Sequence, residues 1–400
     1  MTAPKQTIRD AVVRGKRVLV RSDFNVTIDP NTGQIVDDAR LRLGLKTYQY
    51  LIAEGAIVVG MTHLGRPDGK FVPELSTQPI ARHLAALLKH PVQYLPDCVG
   101  QPIEQQVKAA KPGQVFFLEN TRFHHADEEN NPSFAKDLAR LGEVFINDGF
   151  GVSHRAQASV VGVAQYLPVF AGFSLEQEWK RLDHFLSHIQ HPYVVVLGGA
   201  KLADKVGLIQ ALLPVADHIL LGSALAVALW KAEGREVGSQ SLYDPKTYED
   251  AKKILLSLDR YPEVLLTPHD VVVGKEANAR DGSVAAFNVI PKEMGVFDIG
   301  PATLRRYCDI IVGAKSILLN GPQGYFENPH FALGTEAVFT AVAKNGQGAL
   351  VGGGETLAAL DQFGLRQRIG AVSEGGGAML EYVEGRVLPG ISIIPDKKND

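Results

Sequence analysis

Cysteine is scarce, with two in 400 residues. Cys98 and Cys308 keep neither a disulfide-framework nor a metal-ligand spacing, so a disulfide-stapled secreted scaffold is excluded and two free thiols in a reducing compartment are predicted. Long hydrophobic runs are also missing. The opening MTAPKQTIRDAVVRGKRVLV has no apolar stretch of signal-peptide length, and no later segment is long and apolar enough to span a bilayer. A cytoplasmic protein is expected. A surplus of positive charge is lacking too: the formal net charge is −3, which argues against a general nucleic-acid binder. Any anion chemistry must be local. The nucleotide motif G-x-x-x-x-G-K-[ST] is absent, as are the protein-kinase set and a G-x-G-x-x-G that opens a helix with an acid about 20 residues on. P-loop enzymes, protein kinases and dinucleotide oxidoreductases are thereby disfavoured.

What is present is a folded composition, 45% hydrophobic and 21% charged, on a chain long enough for two domains. Short β-branched runs alternate with helical patterns: RVLVRSDFN at 17–25, AIVVGMTHLGRP at 56–67, QVFFLENTRFHH at 114–125 and EVFINDGFGVSHR at 143–155. The second half repeats the theme with YVVVLGGAK at 193–201, HILLGSALA at 218–226, SILLNGPQG at 316–324 and ALVGGGET at 349–356. Fully apolar strands between helices predict α/β lobes with parallel sheets covered on both faces. Apolar residues at helical spacing over 173–190 predict a helix joining the lobes, with Ser174 as its N-cap and Pro192 as a stop.

In open α/β sheets ligands sit beyond the carboxyl ends of the strands, so the residues following each run are the candidates for chemistry. The first half places Asp23, Asn25, His63, Arg66, Arg122, His124, His154 and Arg155 there, with Arg40 close by. This set suits an anion. The second half places glycines, Lys201, Lys205, Asn320 and Glu355 there, a set suited to phosphates held by backbone N–H groups. Lys201 and Lys205, four apart at the start of an expected helix, would present both amines on one face. His124 and His125 could be read as a metal pair, but no cysteine, aspartate or further histidine keeps a recognised spacing with them, so a structural or solvated role is favoured. The halves together predict an anionic substrate in one lobe, a nucleotide in the other, and phosphoryl transfer between them.

The strings RSDFNVT, THLGRPDGK, ENTRFHH, GFGVSHRA, LGGAKLADK, DIGP, LNGPQGYFE, GGGET and GGGA occur in the order and spacing of the phosphoglycerate kinase family, which the chain resembles over essentially its whole length. The resemblance implies two Rossmann-like three-layer lobes with parallel sheets and a cleft between them. Residues 1–172 would form the phosphoglycerate lobe, 173–190 the interlobe helix and hinge, 191–378 the nucleotide lobe, and 379–400 a tail returning to the first lobe. It also implies a monomer that transfers the acyl phosphate of 1,3-bisphosphoglycerate reversibly to MgADP. Carried over by position, Asp23, Phe24 and Asn25 meet the glycerate, while His63, Leu64, Gly65, Arg66, Arg122 and Arg155 surround the phosphate that stays. Arg40, at the acyl end of the substrate, stabilises the phosphoryl in flight with Lys201, and Lys205, the third catalytic residue, holds the nucleotide phosphates. Lys205, Asn320, Gly321, Glu327, Gly353, Gly354, Glu355 and Thr356 face the nucleotide, Glu355 through its Mg2+.

Departures from the family pattern cluster in the nucleotide lobe. Glu355 stands where the family has Asp, Ser223 and Ala224 where it has glycines, Leu319 where it has Trp, Tyr325 where a smaller residue is common, and Glu374 where it has Thr. An added acid near nucleotide phosphates is repulsive unless it is paired or turned away. The alternative reading is a paralogue that binds phosphoglycerate but has altered or lost nucleotide use.

Overall fold

The structure, a computed structural model, describes residues 4–241 and 245–397. The chain divides into two compact units: one runs up to Asp183 and resumes at Val387, the other is His184–Arg386.

The first unit contains β1 (Arg17–Arg21), β2 (Ile57–Met61), β3 (Val92–Leu95), β4 (Val115–Leu118), β5 (Val144–Asn147) and β6 (Val169–Ala171). They form one sheet in the order β3-β4-β2-β1-β5-β6, parallel throughout. Every residue of β2, β4 and β5 is buried, the continuous apolar signature of strands covered on both faces. The core on one face joins Val18, Val20, Val58, Phe117 and Ile146 to Leu41, Tyr48 and Leu51 of the helix Ala39–Ala53.

The second unit contains β7 (Tyr193–Leu197), β8 (His218–Leu221), β9 (Leu265–Leu266), β10 (Asp270–Gly274), β11 (Ser283–Ala286), β12 (Gly295–Ile299), β13 (Ser316–Asn320), β14 (Ala349–Gly352) and β15 (Ala371–Ser373). Its main sheet, β15-β14-β13-β7-β8-β9, is again parallel. A second sheet, β11-β10-β12, is antiparallel. It packs Val271, Val273 and Val296 against Ala226, Val227 and Trp230 of the helix Ser223–Ala232. The parallel sheets are those the sequence predicts. The antiparallel sheet is not, because SVAA and GVFDI are short and flanked by polar turns.

Strand order fixes where ligands can approach. In the first sheet the chain moves from β1 toward β2 on one side and places β5 on the other. In the second, β7 leads to β8 while its other neighbour β13 leads to β14. Loops leaving β1 and β5, and those leaving β7 and β13, therefore part company and leave a crevice at the strands' carboxyl ends.

The division between units falls within the helix Phe173–Ser187. Ser174 is not its N-cap. The helix has already begun at Phe173, whose N–H donates to Thr47 Oγ1 (3.0 Å), and Ser174 N–H donates to Asp148 Oδ1 (2.8 Å). The carboxyl group of Asp148, at the end of β5, thus does the capping in place of the Ser174 hydroxyl. The C-terminal segment is tied to the first unit by Asn147 Nδ2, which donates to Gly390 O (2.8 Å), and by Gly390 N, which donates to Ser153 O (2.8 Å). No described helix is long and apolar enough to cross a membrane.

Candidate active site

In the first unit basic side chains converge at the ends of β1, β2, β4 and β5. Arg21 ends β1 fully buried, with its Nη2 3.2 Å from Nδ1 of buried His63. Burial, and then the charge of Arg21, drives the His63 pKa well below its ordinary value, with Arg155 and Arg40 adding to the effect. The imidazole is neutral at pH 7. Because a guanidinium only donates, Nδ1 accepts and Nε2 carries the proton.

Arg122 is only 2% exposed. Asn120 sets its backbone by accepting from Arg122 N at Oδ1 (3.1 Å), while Nδ2 of the same amide donates to Leu64 O and Leu75 O (2.7 and 2.9 Å). One amide therefore fastens the loop after β2 to the loop after β4. The Arg122 guanidinium donates from Nη1 to Gly65 O (2.8 Å) and its Nε lies 3.3 Å from Glu128 Oε1. Its Nη2 is buried with no hydrogen-bond partner among the described residues. A buried guanidinium donor left open is costly unless a ligand completes it. Arg40 Nη1 is ion-paired to Asp23 Oδ2 at 3.0 Å, and Asn25 Oδ1 accepts from Gly65 N (2.9 Å). Arg66 is exposed and Arg155 half-buried.

Two residues of the expected substrate set have side chains buried in the core. The Phe24 ring is in the core, stacked 5.9 Å from Tyr48 and 6.1 Å from Phe117, and Leu64 is 2% exposed. Phe24 N–H donates to Thr62 Oγ1. These side chains shape the loops from behind.

In the second unit, the loops after β7 and β13 touch through bare backbone. Gly198 N donates to Asn320 O (2.9 Å) and Gly199 N to Pro322 O (2.8 Å). A Cβ at Gly198 would stand 1.8 Å from Pro322 O, and one at Gly321 would stand 2.2 Å from Gly198 O, so only glycine fits either place. Gly353 (φ +108°) caps the helix Gly354–Gln362, which carries Glu355 in its first turn. A Cβ at Gly199 would lie 3.0 Å from Glu355 Oε2 and 3.9 Å from Lys205 Nζ. The acid and the amine therefore gather over the same glycine. Burial lowers the Lys205 pKa, and Glu355 opposes that shift.

The expectation of Lys201 and Lys205 on one helical face is corrected. Lys201 precedes any helix and is exposed; Lys205 ends a 3-10 turn and is buried; the α-helix begins at Val206. The glycines before Lys201 hold the chain against Pro322, so helical geometry starts later than the spacing suggests. Asn320 and Thr356 are buried and brace the loops: Asn320 Nδ2 donates to Gly352 O (2.7 Å) and Thr356 Oγ1 accepts from Gly321 N (2.7 Å).

A cavity of about 180 Å³ lies among these loops, lined by Gly199, Ala224, Tyr325, Glu327 and Glu355, with Val296 and Phe297 of β12 as its apolar wall. Sequence reasoning missed that wall and also Gln323, which is 1% exposed with Oε1 unpartnered among the described residues. The departures from the family pattern take defined places here. Ser223 does not plug the cavity: it is 2% exposed, and both its N–H and Oγ donate to Gln323 O at 2.9 Å. Leu319 lies in the sheet core. Glu374 is ion-paired to Arg366, which also binds Asp361 (2.7 Å), so the acid is paired.

A carboxylate, a buried ammonium and a helix N-terminus around a glycine-lined cavity suit a polyphosphate with its metal, and the basic crevice of the other unit suits a smaller anion. The comparisons with known proteins agree. The family model "Phosphoglycerate kinase" matches residues 8–386. A phosphoglycerate kinase of Moorella thermoacetica is 42% identical over 394 residues, covering 98% of this chain and all of that protein. That of Chloroflexus aurantiacus is 44% identical over 398 residues, covering 98% and 99%. Among solved structures, phosphoglycerate kinase from Coxiella burnetii superimposes with a TM-score of 0.82 at 37% identity, covering 98% of each chain. With family motifs, two parallel-sheet units and both sets of loops in agreement, the chain belongs to the phosphoglycerate kinase family.

Proposed function

We propose that this chain catalyses the reversible transfer of the acyl phosphate of 1,3-bisphosphoglycerate to ADP, giving 3-phosphoglycerate and ATP, by direct displacement at phosphorus. A terminal oxygen of ADP forms the new P–O bond as the bond to the glycerate carboxyl oxygen breaks, and the carboxylate leaves with its electron pair. In reverse the carboxylate attacks; with a pKa of about 4 it is already ionised at neutral pH, so no general base is required.

The single observation that carries the reading is the buried, incompletely satisfied guanidinium of Arg122, bonded to Gly65 O two residues beyond His63. Such a group is suited to grip the phosphate that does not move, with Nε2 of neutral His63 as a further donor and Arg66 at the exposed rim. Arginine suits this because its planar fork meets phosphate oxygens in pairs. Asp23 holds the Arg40 guanidinium, and Arg40 is assigned to the charge that spreads over the phosphoryl group in transit, with Lys201. Lys205 and the first turn of the helix Gly354–Gln362 are assigned to the nucleotide phosphates, and Glu327 at the cavity rim to the sugar.

Mg2+ fits the second site. Glu355 supplies a hard oxygen donor, and the bare Cα of Gly199 leaves room at its Oε2. Bound with the nucleotide, the metal neutralises phosphate charge. Since the two ligand sets belong to different units, transfer asks that reacting atoms be brought to about 3–3.5 Å. The reading therefore includes domain closure about the helix Phe173–Ser187 and the returning tail, in a cytoplasmic monomer. Loss of nucleotide use draws no support from the departures, since Glu374 is paired and Ser223 braces a loop.

The test is a coupled assay: 3-phosphoglycerate and MgATP with a dehydrogenase that consumes the acyl phosphate. Turnover is expected. Absence of turnover with retained phosphoglycerate binding overturns the reading.

A further inference from the structure

The first unit holds a second group of donors outside the anion crevice. Asp97 and Cys98 follow β3, and His124 lies in the segment after β4, its neighbour in the sheet. One ligand atom from each, a carboxylate oxygen, Sγ and an imidazole nitrogen, lies within 4.8 Å of the others. The spacing in sequence gives no hint of this; the parallel pairing of β3 with β4 creates it.

We propose that Asp97, Cys98 and His124 form an accessory site for a zinc-class divalent transition metal. The donor set is mixed thiolate, imidazole and carboxylate, a combination that selects Zn2+ and its neighbours over Mg2+ or Ca2+. His124 Nε2 and Asp97 Oδ1 are hydrogen-bonded at 2.7 Å, a contact in which the metal would take the place of the shared proton. Supporting contacts place all three: Cys98 N–H donates to Asp97 Oδ1 (2.6 Å) and the His124 ring packs 4.9 Å from that of Phe134, while the Cys98 thiol donates to Glu119 O (2.9 Å), a bond given up when its proton leaves. Such outer contacts hold ligands for a metal. The site also has an entrance. Cys98 is wholly buried, but the His124 and Asp97 side chains are 32% and 49% exposed, so the sulfur forms the floor of a site open on its carboxylate and imidazole side.

Burial first, and then the charges of Asp97, Asp127 and Glu119, raise the Cys98 pKa well above its ordinary value, with Arg21 opposing them, so a thiolate needs a cation beside it. A dication there displaces the thiol proton to solvent, giving a thiolate–metal bond, and meets two ligand charges with two of its own. Because His124 lies two residues beyond Arg122, occupancy clamps the segment that carries the buried guanidinium to the loop after β3.

Co2+ is the probe, because a thiolate ligand gives it an intense near-ultraviolet charge-transfer band. Chelator-treated full-length protein titrated with CoCl2 is expected to develop that band with 1:1 stoichiometry, and Zn2+ is expected to abolish it. Cys98→Ser should eliminate the band, Cys308→Ser should keep it, and His124→Gln should weaken Co2+ binding at least about tenfold. Asp97→Asn and His124→Gln alter partly exposed side chains and keep the test open should Cys98→Ser fail to fold. A titration without a charge-transfer band overturns the proposal, including one in which Co2+ binds only to histidines such as the adjacent His184 and His188 (ring centroids 4.3 Å apart). So does a band that survives in Cys98→Ser, or affinity unchanged in both Asp97→Asn and His124→Gln.

Discussion

Arg21 Nη2 lies 3.2 Å from Nδ1 of His63 inside the first unit, and the two side chains are 0% and 4% exposed. A permanently charged donor thus fixes the tautomer of a buried imidazole and keeps it uncharged.

The pH consequence has a definite sign. The folded pKa of His63 is well below 6.5, so in acid the unfolded chain takes up a proton there before the folded one does, and stability falls as pH drops below about 6.5. NMR of the His63 ring should show a neutral imidazole with its proton on Nε2 at pH 6.5. Half-protonation at or above that pH contradicts the assignment. Saturation with 3-phosphoglycerate should move the titration upward, since an anion favours the charged form.

Asp148 works in the opposite direction. Burial pushes its pKa up to about 7, although it accepts from the N–H of Ser174. Between 3.8 and about 7 the folded state holds a proton that the unfolded state has lost, so this group's contribution to stability is present in acid and is lost as pH rises through 7. Urea unfolding at pH 5 and pH 7.5 should therefore show that Asp148→Asn shifts the balance toward pH 7.5, its stability at pH 7.5 relative to pH 5 being higher than that of the parent chain, in which His63 and Asp148 act in opposite directions. An unchanged difference removes Asp148 as the source.

Arg40→Ala should lower kcat by roughly 10²–10³ while the KM for 3-phosphoglycerate changes by less than about threefold, because its contribution is assigned to the transition state. A loss confined to KM would mean that Arg40 only binds. Arg122→Ala should behave differently, weakening phosphoglycerate binding itself by about tenfold or more.

Glu355 reaches over Gly199, with its Oε2 3.0 Å from where a Cβ would stand. Glu355→Asp withdraws the carboxylate by about 1.5 Å and should raise the Mg2+ concentration needed for half-maximal activity roughly tenfold. Gly199→Ala, strained at φ +80°, should impair nucleotide binding in the same way. If Glu355→Asp leaves the Mg2+ dependence intact, Glu355 does not meet the metal.

The parts of this molecule legible in its sequence are those where chemistry and backbone period coincide. Eight apolar runs are eight parallel strands, and the polar residues that follow them lie at the strand ends. Short edge strands such as β3 and β6 carry too few apolar residues to stand out, and the antiparallel sheet reads as turns. Lys201 and Lys205 mislead because helical spacing is informative only once the chain is free to be helical, and contact with Pro322 delays that. Phe24 and Leu64 sit in motif positions yet point into the core. The role of Glu374 could not be read locally either: its partner Arg366 lies eight residues earlier, across a turn. Asp97, Cys98 and His124 are joined only by strand pairing, which no spacing rule records.

The contact of Gly198 and Gly321 has a consequence for how this pocket can diversify. With 1.8 Å and 2.2 Å between their missing Cβ atoms and the opposing carbonyl oxygens, neither position can gain a side chain without prising the central strand loops apart. The floor beneath the cavity is therefore closed to mutation, and any change in nucleotide preference must come from the rim, where Ala224 and Tyr325 stand. Ala224 and Tyr325 are two of the departures from the family pattern, and both stand on that rim.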